Sequence, residues 1–178
     1  MENIGVNIKD VAVIISGAIT ALSTLSAVLI TNYFNHRSLK TNLEQTKEQN
    51  KITLKIQKIE DLYLLFEKWE VNLSSMYLYH LRVFQNKLTI EQAHELTTKL
   101  NILEKGDYQK LTMLMNIHFP ELLVLYKSVI SSRSQLVPFL NDPKETKLTV
   151  QGFTNKQKEF EEQCRLFKER MNKLASEL

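Results

Sequence analysis

The feature that most constrains this chain is an uncharged apolar run near its N-terminus, residues 11–30, VAVIISGAITALSTLSAVLI. A helix of that length is roughly 30 Å long, which matches the hydrocarbon thickness of a bilayer. The run is longer than the apolar part of a cleaved signal peptide, and a buried core helix rarely stays uncharged over such a length. The sequence therefore predicts a single transmembrane helix over residues 11–34.

The basic residues on either side of the run predict its orientation. Lys9 is the one basic side chain before it, whereas Arg37, Lys40, Lys47 and Lys51 follow it. Cytoplasmic flanks carry the excess of Lys and Arg in single-pass proteins. We therefore expect residues 1–10 to form a short extracytoplasmic N-terminus and the remainder of the chain to lie in the cytoplasm.

Small side chains recur at helical spacing inside the run. Residues three and four apart share a helix face, and small ones let two membrane helices approach closely. One interpretation is a homo-oligomeric contact, and the other is that the hydroxyl groups bond only to their own backbone carbonyls. The candidate face consists of Ser16, Gly17, Thr20, Ala21 and Thr24.

Scarce turn formers and helical apolar spacing predict an all-α fold. The 178 residues include four Gly and three Pro, which disfavours a turn-rich β protein. We expect a polar helical stalk over 35–50 and a cytoplasmic bundle of about four to five helices over 51–178. The first bundle helix should run to about Asn86, with an apolar stripe at steps of three and four. The stripe consists of Ile52, Ile56, Ile59, Tyr63, Phe66 and Leu73.

Capping signals divide the rest of the bundle. Thr89 and Thr154 each precede a Gln by three residues, the spacing of a capping box, and are expected to start helices. Gly106 should end the helix that starts after Thr89, and Asp107 should cap the helix that follows it. Helices are then expected over about 108–117 and about 120–136, with a loop over 138–152. The side chains expected to face inward on the second bundle helix are Ile90, Ala93, Leu96, Leu100 and Leu103.

The terminal helix carries apolar residues at alternating steps of four and three. This stripe packs either on the first bundle helix or, as a short coiled-coil seam, on another protomer. Cys164 lies on it and is expected to act as a small buried hydrophobe. As the only cysteine it excludes an internal disulfide, which fits a reducing compartment. The stripe consists of Phe160, Cys164, Phe167, Met171, Leu174 and Leu178.

Patterns that indicate chemistry are weak. A net charge of +3 is too balanced for a nucleic-acid-binding face, and isolated glycines form no phosphate loop. Glu91 and His94 have the Glu-x-x-His spacing of di-iron bundles, but no second copy exists. We therefore expect His94 to be a surface or helix-end histidine, and Glu70 to be salt-bridged or to snorkel. No catalytic, cofactor-binding or metal-binding residue is predicted, no cofactor is expected, and the chain is predicted not to be an enzyme.

The order of parts resembles that of uncharacterised bacterial single-pass, membrane-anchored helical proteins. The likeness lies in NYFNHRSLK after the span, in LYLLFEKWEVNLSSMYLY, and in a later helix that opens with NIHFPELL. The resemblance implies a bacterial inner (plasma) membrane and a prophage or defence neighbourhood. That family has no assigned activity, so it assigns no role to any residue.

These patterns lead to three functional hypotheses. The first is a non-enzymatic, membrane-anchored interaction or scaffold protein whose bundle binds a cytoplasmic protein or itself. The second is a membrane-acting effector, of the phage-exclusion or abortive-infection type, that oligomerises through its transmembrane helix. The third is a single-pass signal transducer, although ten residues outside the membrane leave little room for a receptor.

Overall fold

The computed structural model describes residues 8–100 and 102–178, and helices account for 87% of that part, which contains no strand. The predicted all-α class is confirmed. Residues 1–7, which make up most of the predicted extracytoplasmic N-terminus, lie outside the described residues. The five α-helices are α1 (Ile8–Phe84), α2 (Ile90–Lys99), α3 (Asp107–His118), α4 (Leu123–Ser134) and α5 (Val150–Ser176).

The chain divides into two compact units, Met1–Lys51 and Ile52–Leu178. In the first unit every described side chain is exposed. The second unit contains the remainder of α1 and all of α2 to α5. It holds the hydrophobic core of the chain.

The core of the second unit forms where α5 packs on α1. The ring of Phe66 lies 4.5 Å from that of Phe167, and Phe160 lies 6.1 Å from Trp69 and 5.6 Å from Tyr77, as measured between ring centroids. The α5 stripe from Phe160 to Leu174 is therefore covered by the chain itself, as the first of its two interpretations expects. Those side chains are not available for a seam with another protomer.

Helix α2 begins as predicted but faces the core differently. The Gln92 N–H donates to Thr89 Oγ1 (3.3 Å) and the Thr89 N–H donates to Gln92 Oε1 (2.9 Å), so the capping box is confirmed. The inward assignment of Leu96 and Leu100 is wrong, since both are exposed. This short helix buries only Ala93, because its small side chain allows close contact along one narrow line.

The expected roles of Gly106 and Asp107 are wrong. Helix α2 ends at Lys99, so Gly106 lies too far along the chain to terminate it. Gly106 instead has a left-handed φ of 102° and precedes α3, whose first residue is Asp107. A side chain at Gly106 would be strained in that conformation. The Asp107 carboxylate accepts a hydrogen bond from the Glu104 N–H (3.1 Å), outside the helix.

Helix α5 begins one turn earlier than the sequence suggests. Its N-cap is Thr149, whose Oγ1 accepts a hydrogen bond from the Gly152 N–H (3.1 Å), so the predicted capping box at Thr154 is wrong. The hydroxyl of Thr154 donates to the Val150 carbonyl within the helix. The extra turn places Phe153 in the core, with its ring stacked 4.8 Å from that of Phe139, and this burial favours the earlier start.

Candidate functional site

The exposed apolar start of α1 is the first candidate. It is the one helix, among the residues that the structure describes, that is long and apolar enough to cross a membrane. Signal sequences and buried helices of soluble proteins share such composition, but none of the most apolar 18-residue window is buried in this chain. Leu22 and Leu25, for example, are 65% and 58% exposed. Among the described residues, this apolar surface is exposed along its whole length.

The small-residue face of this segment has its hydroxyl groups satisfied internally. Ser16 donates to the Val13 carbonyl, Thr20 to the Ser16 carbonyl and Thr24 to the Thr20 carbonyl, each at 2.9 Å. These are the backbone hydrogen bonds of the second interpretation, and the homo-oligomeric contact of the first stays a prediction. A Cβ atom added to Gly17 would meet nothing within 4 Å. The face therefore has open space at Gly17, and its hydroxyl groups already donate hydrogen bonds within the helix.

A pair of histidines joins α1 to α2 in the second unit. His80 is 3% exposed, its ring centroid lies 5.5 Å from that of His94, and its Nδ1 atom is buried without a hydrogen-bond partner. Burial, with the nearby His94 as the smaller cause, lowers the pKa of His80 to about 4. His94 is exposed, as expected. His80 is therefore neutral at neutral pH, and the folded site disfavours its charged form.

The sequence interpretation missed His80, although a signal for its burial exists. His80 follows Tyr77 by three residues and precedes Phe84 by four, which places it on the buried face of α1. Within the described residues, no group of three or more His, Cys, Asp or Glu side chains is placed to hold a metal ion. The Glu91–His94 motif therefore has one further histidine, His80, beside it. This arrangement differs from a di-iron site.

Two further predicted side chains have the surroundings expected of them. Cys164 is fully buried, and burial, followed by the Glu70 charge, raises the pKa of its thiol far above the usual value. A protonated, buried thiol packs as a small apolar group and is a poor nucleophile. Glu70 Oε2 lies 2.7 Å from Lys168 Nζ, and both side chains are largely buried, so the predicted salt bridge is confirmed.

The outer face of α1 in the second unit carries an apolar ridge, which consists of Leu64, Val71 and Leu78. These side chains are 59%, 46% and 43% exposed. An open groove of about 410 Å³ follows one side of the ridge and is lined by Ile102 and by residues of α1 and α3. A second groove of about 340 Å³ lies between α1 and α5, and Val71 lines both grooves.

Comparison with known proteins gives no relative from which a role can be transferred. No protein-family model, curated protein or solved structure matches the chain.

Proposed function

We propose that this chain is a single-pass membrane protein whose helical domain binds a protein partner in the cytoplasm, without catalysing a reaction. Residues 11–34 form the anchor and residues 51–178 form the binding domain, with 35–50 as the stalk. The observation that supports the anchor is that every residue of the uncharged apolar run 11–30 is exposed. Each Leu, Ile, Val or Phe at the centre of a span favours insertion by about 0.3–0.6 kcal/mol.

The flanks of the segment support one orientation. Tyr33 and Phe34 follow the apolar run and are exposed, as aromatic residues at a membrane interface are. Arg37 and Lys40 come directly after them, and the N-terminal side offers Lys9. The proposed topology therefore has the N-terminus outside and the helical domain in the cytoplasm of an inner (plasma) membrane.

The experiment that tests the anchor compares two double substitutions of the same type. Leu22→Arg with Leu25→Arg places two charges at the centre of the proposed span, at a cost of about 2.5–3.5 kcal/mol for each. We expect this variant to leave the membrane fraction, whereas the wild type should remain there after an alkaline carbonate wash. Topology is read from reporters fused to either end.

The matched control is Leu39→Arg with Leu43→Arg, which changes two equally exposed leucines in the polar part of α1. This control should remain in the membrane. Retention of the Leu22/Leu25 variant, or recovery of the wild type from the soluble fraction, would contradict the anchor.

A second candidate function, a membrane-acting effector that oligomerises through the span, is favoured by the open surface around Gly17. Two such faces can approach closely in lipid. Thr20→Leu would fill that face, and Ala18→Leu would add similar bulk about 160° away around the helix. Equal self-association and equal toxicity of the two variants would remove the basis for the effector.

A further inference from the structure

The pair of His80 and His94 is not part of the proposed anchor or of the apolar ridge. The two side chains come from different helices, α1 and α2, and their ring centroids lie 5.5 Å apart. His80 is 3% exposed, whereas His94 is open to solvent. We propose that the pair binds one divalent transition-metal ion of the zinc class, which bridges α2 to α1.

The separation of the two rings suits two ligands of one ion. A bond from zinc to a histidine nitrogen is about 2.0–2.1 Å long and the ring centroid lies about 1.1 Å further on, so each centroid would lie about 3.2 Å from the ion. At the tetrahedral angle that zinc prefers, the two centroids would then be about 5.2 Å apart. The observed separation is close to that value, and rotation of the exposed His94 side chain supplies the small adjustment.

The buried nitrogen of His80 supports the same site. Its Nδ1 atom is buried without a hydrogen-bond partner, and native structures leave few buried polar atoms in that state. Packing of two neutral rings would give a similar separation between them, but it would leave Nδ1 unsatisfied, at a cost in free energy. A metal ion bound by this nitrogen would satisfy it and would explain the ring separation as well.

The burial of His80 favours the form of the ring that binds a metal. A histidine nitrogen coordinates an ion only when that nitrogen carries no proton, so protons compete with the ion. Burial lowers the pKa of His80 to about 4, so this ring is neutral at neutral pH. The exposed His94 gives the ion a path from solvent, and water molecules can complete the coordination.

The charges of α2 also favour a cation. The charged side chains of this helix are Glu91, Glu95 and Lys99. Lys99 Nζ lies 2.6 Å from Glu95 Oε1, so Glu91 carries the net negative charge of the helix, and its carboxylate interacts electrostatically with His94. No group of three His, Cys, Asp or Glu side chains is placed to hold an ion in the part of the chain that the structure describes. Glu91 therefore contributes charge, and the two imidazoles are the protein ligands.

A metal bridge at this point would hold a helix that the core holds weakly. Helix α2 buries only Ala93, the residue directly before His94. An ion that binds when α2 is docked, and not when it is released, stabilises the docked form. The site therefore makes the docking of α2 on α1 dependent on metal. It is independent of the proposed anchor, because both histidines lie within Ile52–Leu178.

The test is a calorimetric titration of the untagged full-length protein in detergent with zinc chloride at neutral pH. We expect one Zn²⁺ to bind per chain. His94→Gln removes a ligand at an exposed position and should weaken binding by more than about tenfold, since loss of a partner outside the ligand shell alone costs about 10–100-fold. His118→Gln is the matched control, because His118 is also exposed, and it should bind as the wild type does.

A second variant and a second ion test the buried ligand. His80→Phe should weaken Zn²⁺ binding as His94→Gln does, and fluorescence of Trp69 during urea unfolding shows whether this variant folds. Electron paramagnetic resonance of bound Cu²⁺ should show two imidazole nitrogens in the wild type and one in His94→Gln. Equal affinity of His94→Gln and His118→Gln, or no binding by the wild type at millimolar Zn²⁺, would overturn the proposal.

Hydrogen exchange of the α2 amides tests the bridge itself. For amides that exchange when α2 is released, a free Zn²⁺ concentration of about 100 times the dissociation constant should slow exchange about 100-fold. The same Zn²⁺ concentration should leave the exchange of α2 in His94→Gln almost unchanged. Zn²⁺ binding that does not slow the exchange of α2 in the wild type would overturn the bridge.

Discussion

The two units of this chain show what decides whether apolar residues are buried. The described apolar residues of the first unit lie on all sides of α1 and are exposed, whereas in the second unit α1 buries one apolar face. Hydrophobicity alone does not produce the difference, since residues 11–30 of the first unit form the most apolar run of the chain. The second unit has facing aromatic side chains from α5, such as Phe160 and Phe167.

The largest expected effect is on the free energy of unfolding, when a phenylalanine ring is removed from the second unit and compared with the same removal in the first. Phe167 is fully buried and packs on Phe66 and Tyr126, so Phe167→Ala should lower the free energy of unfolding by about 3–5 kcal/mol. Phe34 is 60% exposed, and Phe34→Ala should change that free energy by less than about 0.5 kcal/mol. Urea unfolding followed by fluorescence of Trp69, the only tryptophan, measures both. Similar losses would refute the contrast between the units.

The second effect is a pH dependence of the second unit that arises at His80. The pKa of this residue is lowered from 6.5 to about 4 in the folded chain, so the unfolded chain takes up the proton first. Stability is therefore present above about pH 6.5 and is lost as the pH falls towards 4, by about 3 kcal/mol in all. Urea unfolding across this pH range gives the slope.

The control for the pH effect is a pair of substitutions. His80→Phe should flatten the pH dependence between about pH 6.5 and 5, where most carboxylates remain ionised. His118→Phe, at an exposed position, should retain the wild-type slope. An unchanged slope in His80→Phe would show that the buried imidazole is not its source.

The smallest effect distinguishes the observed start of α5 from the one that the sequence suggested. Thr149→Ala removes the N-cap hydrogen bond to the Gly152 N–H and should cost about 1 kcal/mol. Thr154→Ala lies inside the helix and should cost less than half of that. The same urea titration decides between them, and the reverse order would place the cap at Thr154.

Local patterns predicted α2 correctly at its start because both partners of the cap lie within four residues. The start of α5 could not be read in this way. Thr149 and Thr154 both carry a suitable hydroxyl, and the choice between them depends on Phe153, whose burial against Phe139 and Phe84 is a long-range contact. The same limit applies to Leu96 and Leu100, whose spacing suits burial although both are exposed in the fold.

The two candidate surfaces also differ in whether the sequence alone reveals them. The apolar run of residues 11–30 is visible in composition alone. The ridge is not, since Leu64, Val71 and Leu78 stand among many apolar neighbours and differ from the buried ones only in being exposed. His80 was identifiable from its position between Tyr77 and Phe84, but its proximity to His94 required the packing of α2 on α1.

The buried position of Cys164 has a practical consequence for a chain proposed to reside in a membrane. Cys164 is the one cysteine of the sequence. Because it is buried, a thiol reagent reaches it when the surrounding core opens. When opening and closing are fast relative to the chemistry, the rate of labelling equals the rate for a free thiol multiplied by the open fraction. Alkylation of Cys164 in intact vesicles, without denaturant, therefore reports the opening equilibrium of the core while the protein remains in its lipid surroundings.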